Sequence, residues 1–287
     1  MMLAAEANQN ATFTSISLSG NRVFLAGEAA PPYQVGSGGP KEIVGVGDNR
    51  LFGNETLPEL FEEHLRGLNA PNSVLARDVV DVVNRSIDAN AQLNATLDSE
   101  TTPFTTEFPG TRLGGQLRAV AQMIAARQTL GVNRQIFFTS MGGFDTHSNQ
   151  AARLPGLQTE MADAIAAFYQ ATVELGVDQD VTTFTASDFG RTLTINGDGT
   201  DHGWGAHHFV VGGGVSGGRI IGEVPETGVE HTLDAGRGRL IPTTAVDQYA
   251  SSLGSWFGLS EGELNDALPG RGSFDTADIG LFDGACV

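Results

Sequence analysis

The chain is poor in cysteine and in lysine. Cys286 is the only cysteine among 287 residues, so no disulfide can close within the chain, and the redox compartment stays open. Lys41 is the only lysine among 16 basic residues, set against 34 acidic ones, for a formal net charge of −18. Nucleic acid and anionic lipid both demand clustered cations, so this balance argues against either as a partner. It also repels anionic substrates at long range. A site for one therefore needs a local cation such as a metal ion.

Long apolar runs are missing as well. No window approaches a membrane span, and MMLAAEANQNATF has neither the basic start nor the apolar stretch of a signal peptide. Two familiar catalytic signatures are absent: there is no HExxH helix or Walker loop. The triplet Asp188-Phe189-Gly190 has no kinase companions and carries no kinase reading. GGGVSGG at 212–218 lies between two apolar runs and reads as strand, turn, strand, whereas a dinucleotide fingerprint needs strand, turn, helix.

What is present suits a globular α/β protein. A chain of this length with 40% hydrophobic residues can bury a substantial core, and its 38 glycines gather between apolar runs as turns. TFTSISLSGNRVFLAG (12–27) alternates on both sides of SGN and predicts a hairpin. Helical spacing is expected at 57–69 and 73–98, capped by Thr56 and Asn72, and again at 113–131, stopped by Gly131. A long helix is expected from about Gln150 to Leu175, with Pro155 near its start, and a last one over 243–258, capped by Thr243 or Thr244. Apolar runs in RQIFFTSMGG, DVTTFTASDFG, HHFVVGGGV and GGRIIGEVP predict strands between these helices.

Alternating strands and helices predict a doubly wound, mainly parallel sheet flanked by helices. Residues 1–112 then form an N-terminal hairpin and helical segment packed on a core of 113–287, as one structural domain. Such sheets gather their chemistry at the carboxyl ends of strands. The polar clusters fall there: Asp145 and His147 follow one strand, Asp188 and Arg191 follow the next, and Asp201, His202, His207 and His208 precede a third. Carboxylate and imidazole from separate loops form the ligand set of zinc, manganese or iron. Asp145 and Asp188 also read as helix or turn caps. His207 and His208, adjacent at a strand entry, face opposite ways, so at most one serves a site. His64 and His231 read as surface histidines.

The ordered blocks GGFDTHSNQ, FTASDFGRT, GTDHGWGAHHFVVGGGVSGGRIIGEVP and LIPTTAVDQYASSLGSWFGLSEGELNDALPG resemble a bacterial family, domain of unknown function 1501, over about residues 113–275. That family is similar to the alkaline phosphatase and sulfatase superfamily. The resemblance implies an alkaline phosphatase/sulfatase-like fold and a metal-dependent hydrolase of phosphate or sulfate esters, small or on a polysaccharide, in the periplasm or outside the cell. It implies a divalent metal (zinc, manganese, calcium or magnesium) held by Asp145, His147 and His202, with Asp201 or His207 as a further ligand. Asp188 would hold a second metal or orient water, and Arg191 would neutralise charge on the transferred group.

Departures accompany the resemblance. Phe189 stands where the superfamily has a His, Asp145 and His147 lie closer together than usual, and residues 1–50 show neither the expected first strand nor its nucleophile. The expectation is a sheet lacking its N-terminal strand, in the C-terminal part of a longer protein or a shortened member. The rival expectation is a non-catalytic secreted protein that binds a metal or uses these residues structurally.

Overall fold

The computed structural model describes residues 8–20, 23–27, 32–36, 39–40, 43–67, 73–99 and 103–282. It is a mixed α/β structure, and its chain forms two compact units. One comprises Leu3–Pro103 and Arg118–Ser140, the other chiefly Phe104–Leu117 and Met141–Val287. The expected division at residue 112 coincides with the start of a helix that itself crosses from one unit to the other.

The first unit contains a four-stranded sheet in the order β3-β2-β1-β4. β1 (Ser15–Ser17) lies between β2 (Tyr33–Gly36) and β4 (Ile136–Phe138) and is parallel to both, while β3 (Gly39–Pro40) is antiparallel to β2. The sheet is thus mainly parallel, as the alternating elements predict. Ile16 sits opposite both Tyr33 and Phe137 and is fully buried, as is Ser17 beside it. A strand buried on both sides is what a parallel sheet demands. Helices α1 (Leu57–Leu65), α2 (Val74–Ser99) and α3 (Arg112–Ala125) connect β3 to β4 in sequence.

Two expectations about the N-terminal region are corrected here. Among the described residues of 12–27 there is no hairpin: β1 finds its partners at 33–34 and 136–138, and residues 23–25 form a turn. The sheet does have a strand from the first twenty residues, and it takes an inner position. Alternation marks a strand but does not choose its partner, and burial on both faces favoured the parallel neighbours.

The second unit contains α4 (Gln150–Glu174), the antiparallel pair β5 (Thr183–Phe184) and β8 (Val210–Val211), the hairpin β6 (Gly190–Ile195) and β7 (Thr200–Gly203), α5 (Val246–Trp256) and α6 (Glu261–Ala267). Phe168, Leu264 and Leu281 are buried in it, each stabilising by about 1.5–3 kcal/mol in area terms. The strands expected to extend one parallel sheet do otherwise. Between β5 and β8 the chain makes the β6–β7 hairpin and returns reversed, so β8 pairs antiparallel. Residues 217–225 form no strand, because Gly218 and Gly222 adopt φ of 75° and 83° at either end of the apolar run.

The helices follow the periodic segments closely, but their caps differ. Thr56 makes no side-chain cap; Asn54 Oδ1 accepts from the amides of Thr56 (2.7 Å) and Leu57 (3.2 Å) instead. Asn72 lies outside the described residues. Thr243 bonds the carbonyl of Glu223, and Gln248 Oε1 takes the amide of Ala245 at the start of α5. No helix of the described residues is long and apolar enough to cross a membrane.

Candidate metal centre

Asp145 and His147 lie on the segment that leads into α4, with Thr146 between them. Thr146 is buried, while both of its neighbours are exposed. The β6–β7 turn docks on this segment: the amide of Thr200 donates to the Thr146 carbonyl (3.3 Å), and that of Gln150 to the Asp198 carbonyl (3.1 Å). Gly199 permits the approach, since a Cβ there would fall 2.4 Å from the Thr146 oxygen. Asp145 is therefore no helix cap; that position falls to Asn149, in the left-handed region at φ 53°.

The hairpin supplies the other half. Its register sets Arg191 directly opposite His202, so their side chains share one face. Both reach the same oxygen: Arg191 Nη1 lies 2.7 Å and His202 Nε2 2.9 Å from Asp145 Oδ1. His147 Nε2 lies at 2.9 Å from the same oxygen. Arg191 is held in aim by Thr200, whose Oγ1 accepts from Nε at 3.0 Å and donates to Gln150 Oε1 at 2.8 Å, while its carbonyl accepts from Nη2.

Phe189 stacks on His202, and the Arg191 guanidinium lies over the same phenyl ring with Cζ 5.7 Å from its centroid. The position where the resemblance calls for a second His thus serves as a support for the first. A second line stands behind His147. Asp201 Oδ1 approaches its Nδ1 at 3.4 Å, accepts from Asn196 Nδ2 at 2.6 Å, and Asp201 Oδ2 pairs with Arg237 Nη2 at 3.1 Å.

The electrostatics keep both carboxylates charged. The Arg191 N–H, and next the His202 hydrogen bond, hold the Asp145 carboxyl below the usual aspartate range. Asn196 does the same for Asp201, with the Arg237 charge adding to it. About half of the Asp145, His147 and His202 side-chain surface meets solvent. Ion pairs this exposed add little to stability, so fold stabilisation is a weak reason for the cluster.

Three donors of metal-ligating type, Asp145, His147 and His202, bring one ligand atom each within 4.8 Å of the others. One carboxylate oxygen and two imidazole nitrogens suit zinc or manganese, so the residues present fit a divalent ion. Asp188 is exposed and outside this group, and so is His207, whose neighbour His208 stacks on Tyr249 and approaches Thr185 Oγ1 at 3.4 Å. Burial, with the His207 charge second, pushes the His208 pKa down. His64 is exposed as expected, but His231 is partly buried, its Nδ1 accepting from the amide of Leu233.

Known proteins add one finding. A family model described as "Protein of unknown function (DUF1501)" matches residues 53–268. The chain belongs to the DUF1501 family. No curated protein and no solved structure matches it. The DUF1501 region takes in Asp145, His147, Arg191, Asp201, His202 and Arg237, and it begins well before residue 113, so α1 and α2 are part of the family's sequence. Within it the amides of Gly213, Val215, Ser216 and Gly217 in the GGGVSGG stretch all bond backbone carbonyls.

Sequence reasoning missed Arg237, Asn196 and the role of Phe189. Only the glycines flanking Arg237 in AGRG hint at an unusual backbone there; φ is 97°, 63° and 71° over residues 236–238.

Proposed function

We propose that this DUF1501 protein is a metal-dependent hydrolase of phosphate or sulfate esters, working outside the cytoplasm on small or polysaccharide esters. The observation that carries the reading is the meeting of Asp145 Oδ1, His147 Nε2, His202 Nε2 and Arg191 Nη1 at one solvent-open point. Asp145, His147 and His202 would hold the ion. A divalent ion there supplies Lewis acidity, drawing electron density from an ester oxygen and acidifying water. Arg191, fixed by Thr200, offers an N–H to the anionic oxygens of the transferred group, where charge grows as the ester bond breaks. In a chain of net charge −18, this local cation gives an anionic ester something to hold. The ester class is carried over from the resemblance of the DUF1501 blocks to the sulfatase superfamily, and a fold analogy of this kind is a prior.

A second reading is a metal-binding protein without turnover. It is favoured by Asp188, whose carboxylate is not among the grouped ligand atoms. One experiment separates the two: metal content of the purified protein and of Asp145→Ala and His202→Ala, then hydrolysis of generic phosphate and sulfate monoesters. Metal in the wild type alone, with turnover, is the expected result. Metal without turnover selects the second reading, and a wild type that takes up no added zinc or manganese overturns both.

A further inference from the structure

We infer that Asp201, braced by Asn196 and Arg237, is the positioning carboxylate of His147 and not a ligand of the metal; this rests on the metal-centre reading above. His147 is flanked by a carboxylate at each ring nitrogen, Asp145 at Nε2 (2.9 Å) and Asp201 at Nδ1 (3.4 Å). A neutral imidazole carries its proton on one nitrogen and a lone pair on the other. With an ion beside Asp145 and His202 taking the Nε2 lone pair, the ring proton sits on Nδ1, where Asp201 Oδ1 can accept it and the neighbouring Asn196 Nδ2 (3.5 Å) cannot.

Asp201 is built for this task. Both of its oxygens are engaged, Oδ1 by Asn196 Nδ2 (2.6 Å) and Oδ2 by Arg237 Nη2 (3.1 Å), and its amide donates to Thr192 Oγ1 (3.1 Å). It does not join the group of ligand atoms that Asp145, His147 and His202 form. Arg237 is presented by a loop with its own scaffold. Asp234 Oδ1 accepts from the amides of Gly236 (2.8 Å) and Gly238 (2.9 Å), Oδ2 accepts from that of Glu230 (2.9 Å), and Thr194 Oγ1 donates to the Arg237 carbonyl (2.8 Å). Left-handed backbone at a non-glycine residue such as Arg237 is uncommon, and here the surrounding hydrogen bonds hold it. Residues 230–238 thereby act on the metal centre through Arg237, Asp201 and His147, none of them touching the substrate on this account.

The test compares zinc affinity, by calorimetry on chelator-stripped protein, among wild type, Asp201→Ala, Asp201→Asn and Arg237→Ala, with His202→Ala as the ligand standard. Cobalt(II) spectra at saturation report the ligand set independently of activity. Asp201→Ala should bind zinc about 10- to 100-fold more weakly, as loss of an outer-shell partner typically does, yet keep the wild-type cobalt spectrum. Asp201→Asn retains an acceptor oxygen and should fall between, and Arg237→Ala should lose less than Asp201→Ala. The inference is overturned by unchanged zinc affinity in Asp201→Ala, or by a cobalt spectrum altered as in His202→Ala, which would make Asp201 a ligand. If Asp201→Ala does not fold, Asp201→Asn and Arg237→Ala decide by the same criteria. Wild-type protein that binds no zinc brings down the metal centre and this inference together, whereas wild-type binding with indifferent variants removes this inference alone.

Discussion

Phe189 and His202 lie face to face, their ring centroids 4.1 Å apart and their planes within 6°. Phe189 ends the segment before β6 and His202 lies in β7, so the hairpin clamps its own histidine. Aromatic pairs of this kind contribute beyond their buried area. Phe189→Ala should therefore weaken zinc binding by roughly two- to tenfold, in line with the about 0.5–1.5 kcal/mol such a pair is worth. Phe189→Leu, which keeps bulk without the π face, should show the same direction. Calorimetric affinity checks this, and unchanged binding in both variants would sink the supporting role of the ring.

Asp145 makes an acid-side prediction for the metal-free protein. Its pKa in the fold is lowered, chiefly by Arg191, so its contribution to stability is fully present above the unfolded value of about 3.9 and is lost as pH falls through the lower folded value. Asp145→Asn should be only slightly less stable than wild type near pH 7, and the gap should close below about pH 4, where the unfolded carboxyl takes up its proton. Urea unfolding of both proteins across this range, with chelator present, measures it. A gap that widens on acidification would contradict the assigned contacts.

The hairpin tolerates no side chain at Gly190. A Cβ there would stand 1.9 Å from the Gly205 carbonyl oxygen, and backbone cannot yield as a flexible side-chain tip can. Gly190→Ala should cost about 1–3 kcal/mol as overpacking and displace Arg191 beside it. Gly142→Ala is the control, for it meets nothing within 4 Å and needs no left-handed backbone. Thermal melting should separate the two variants by several degrees, and equal melting temperatures would refute the close approach.

Helices proved the most legible part of the chain. Periodicity at 57–69, 73–98, 113–131, 150–175 and 243–258 matches α1 to α5 within a few residues at most ends, because a helix closes its hydrogen bonds locally. Strands were marked but wrongly partnered, as Ser15–Ser17 and Val210–Val211 show. TDHG, read as a loop before a strand, is itself β7, since polar and glycine residues carry little strand signal. Within the site, Asp145, His147 and His202 were legible as ligand types standing near apolar runs. Asp188 stood in equal sequence company and is not among the grouped ligand atoms.

The amino-acid sequence by itself determined the helices, the acidic surface, the impossibility of an internal disulfide, the family, and which residues have metal-binding chemistry. Only the tertiary structure decided which of them meet. Asp145 lies 46 residues from Arg191 and 57 from His202, and their convergence depends on the register that sets Arg191 against His202 and on a glycine that lets the turn approach Thr146. A one-residue slip of that register would send one of the two side chains to the opposite face. Local patterns cannot encode such a choice, because it is made by packing between segments far apart in the chain.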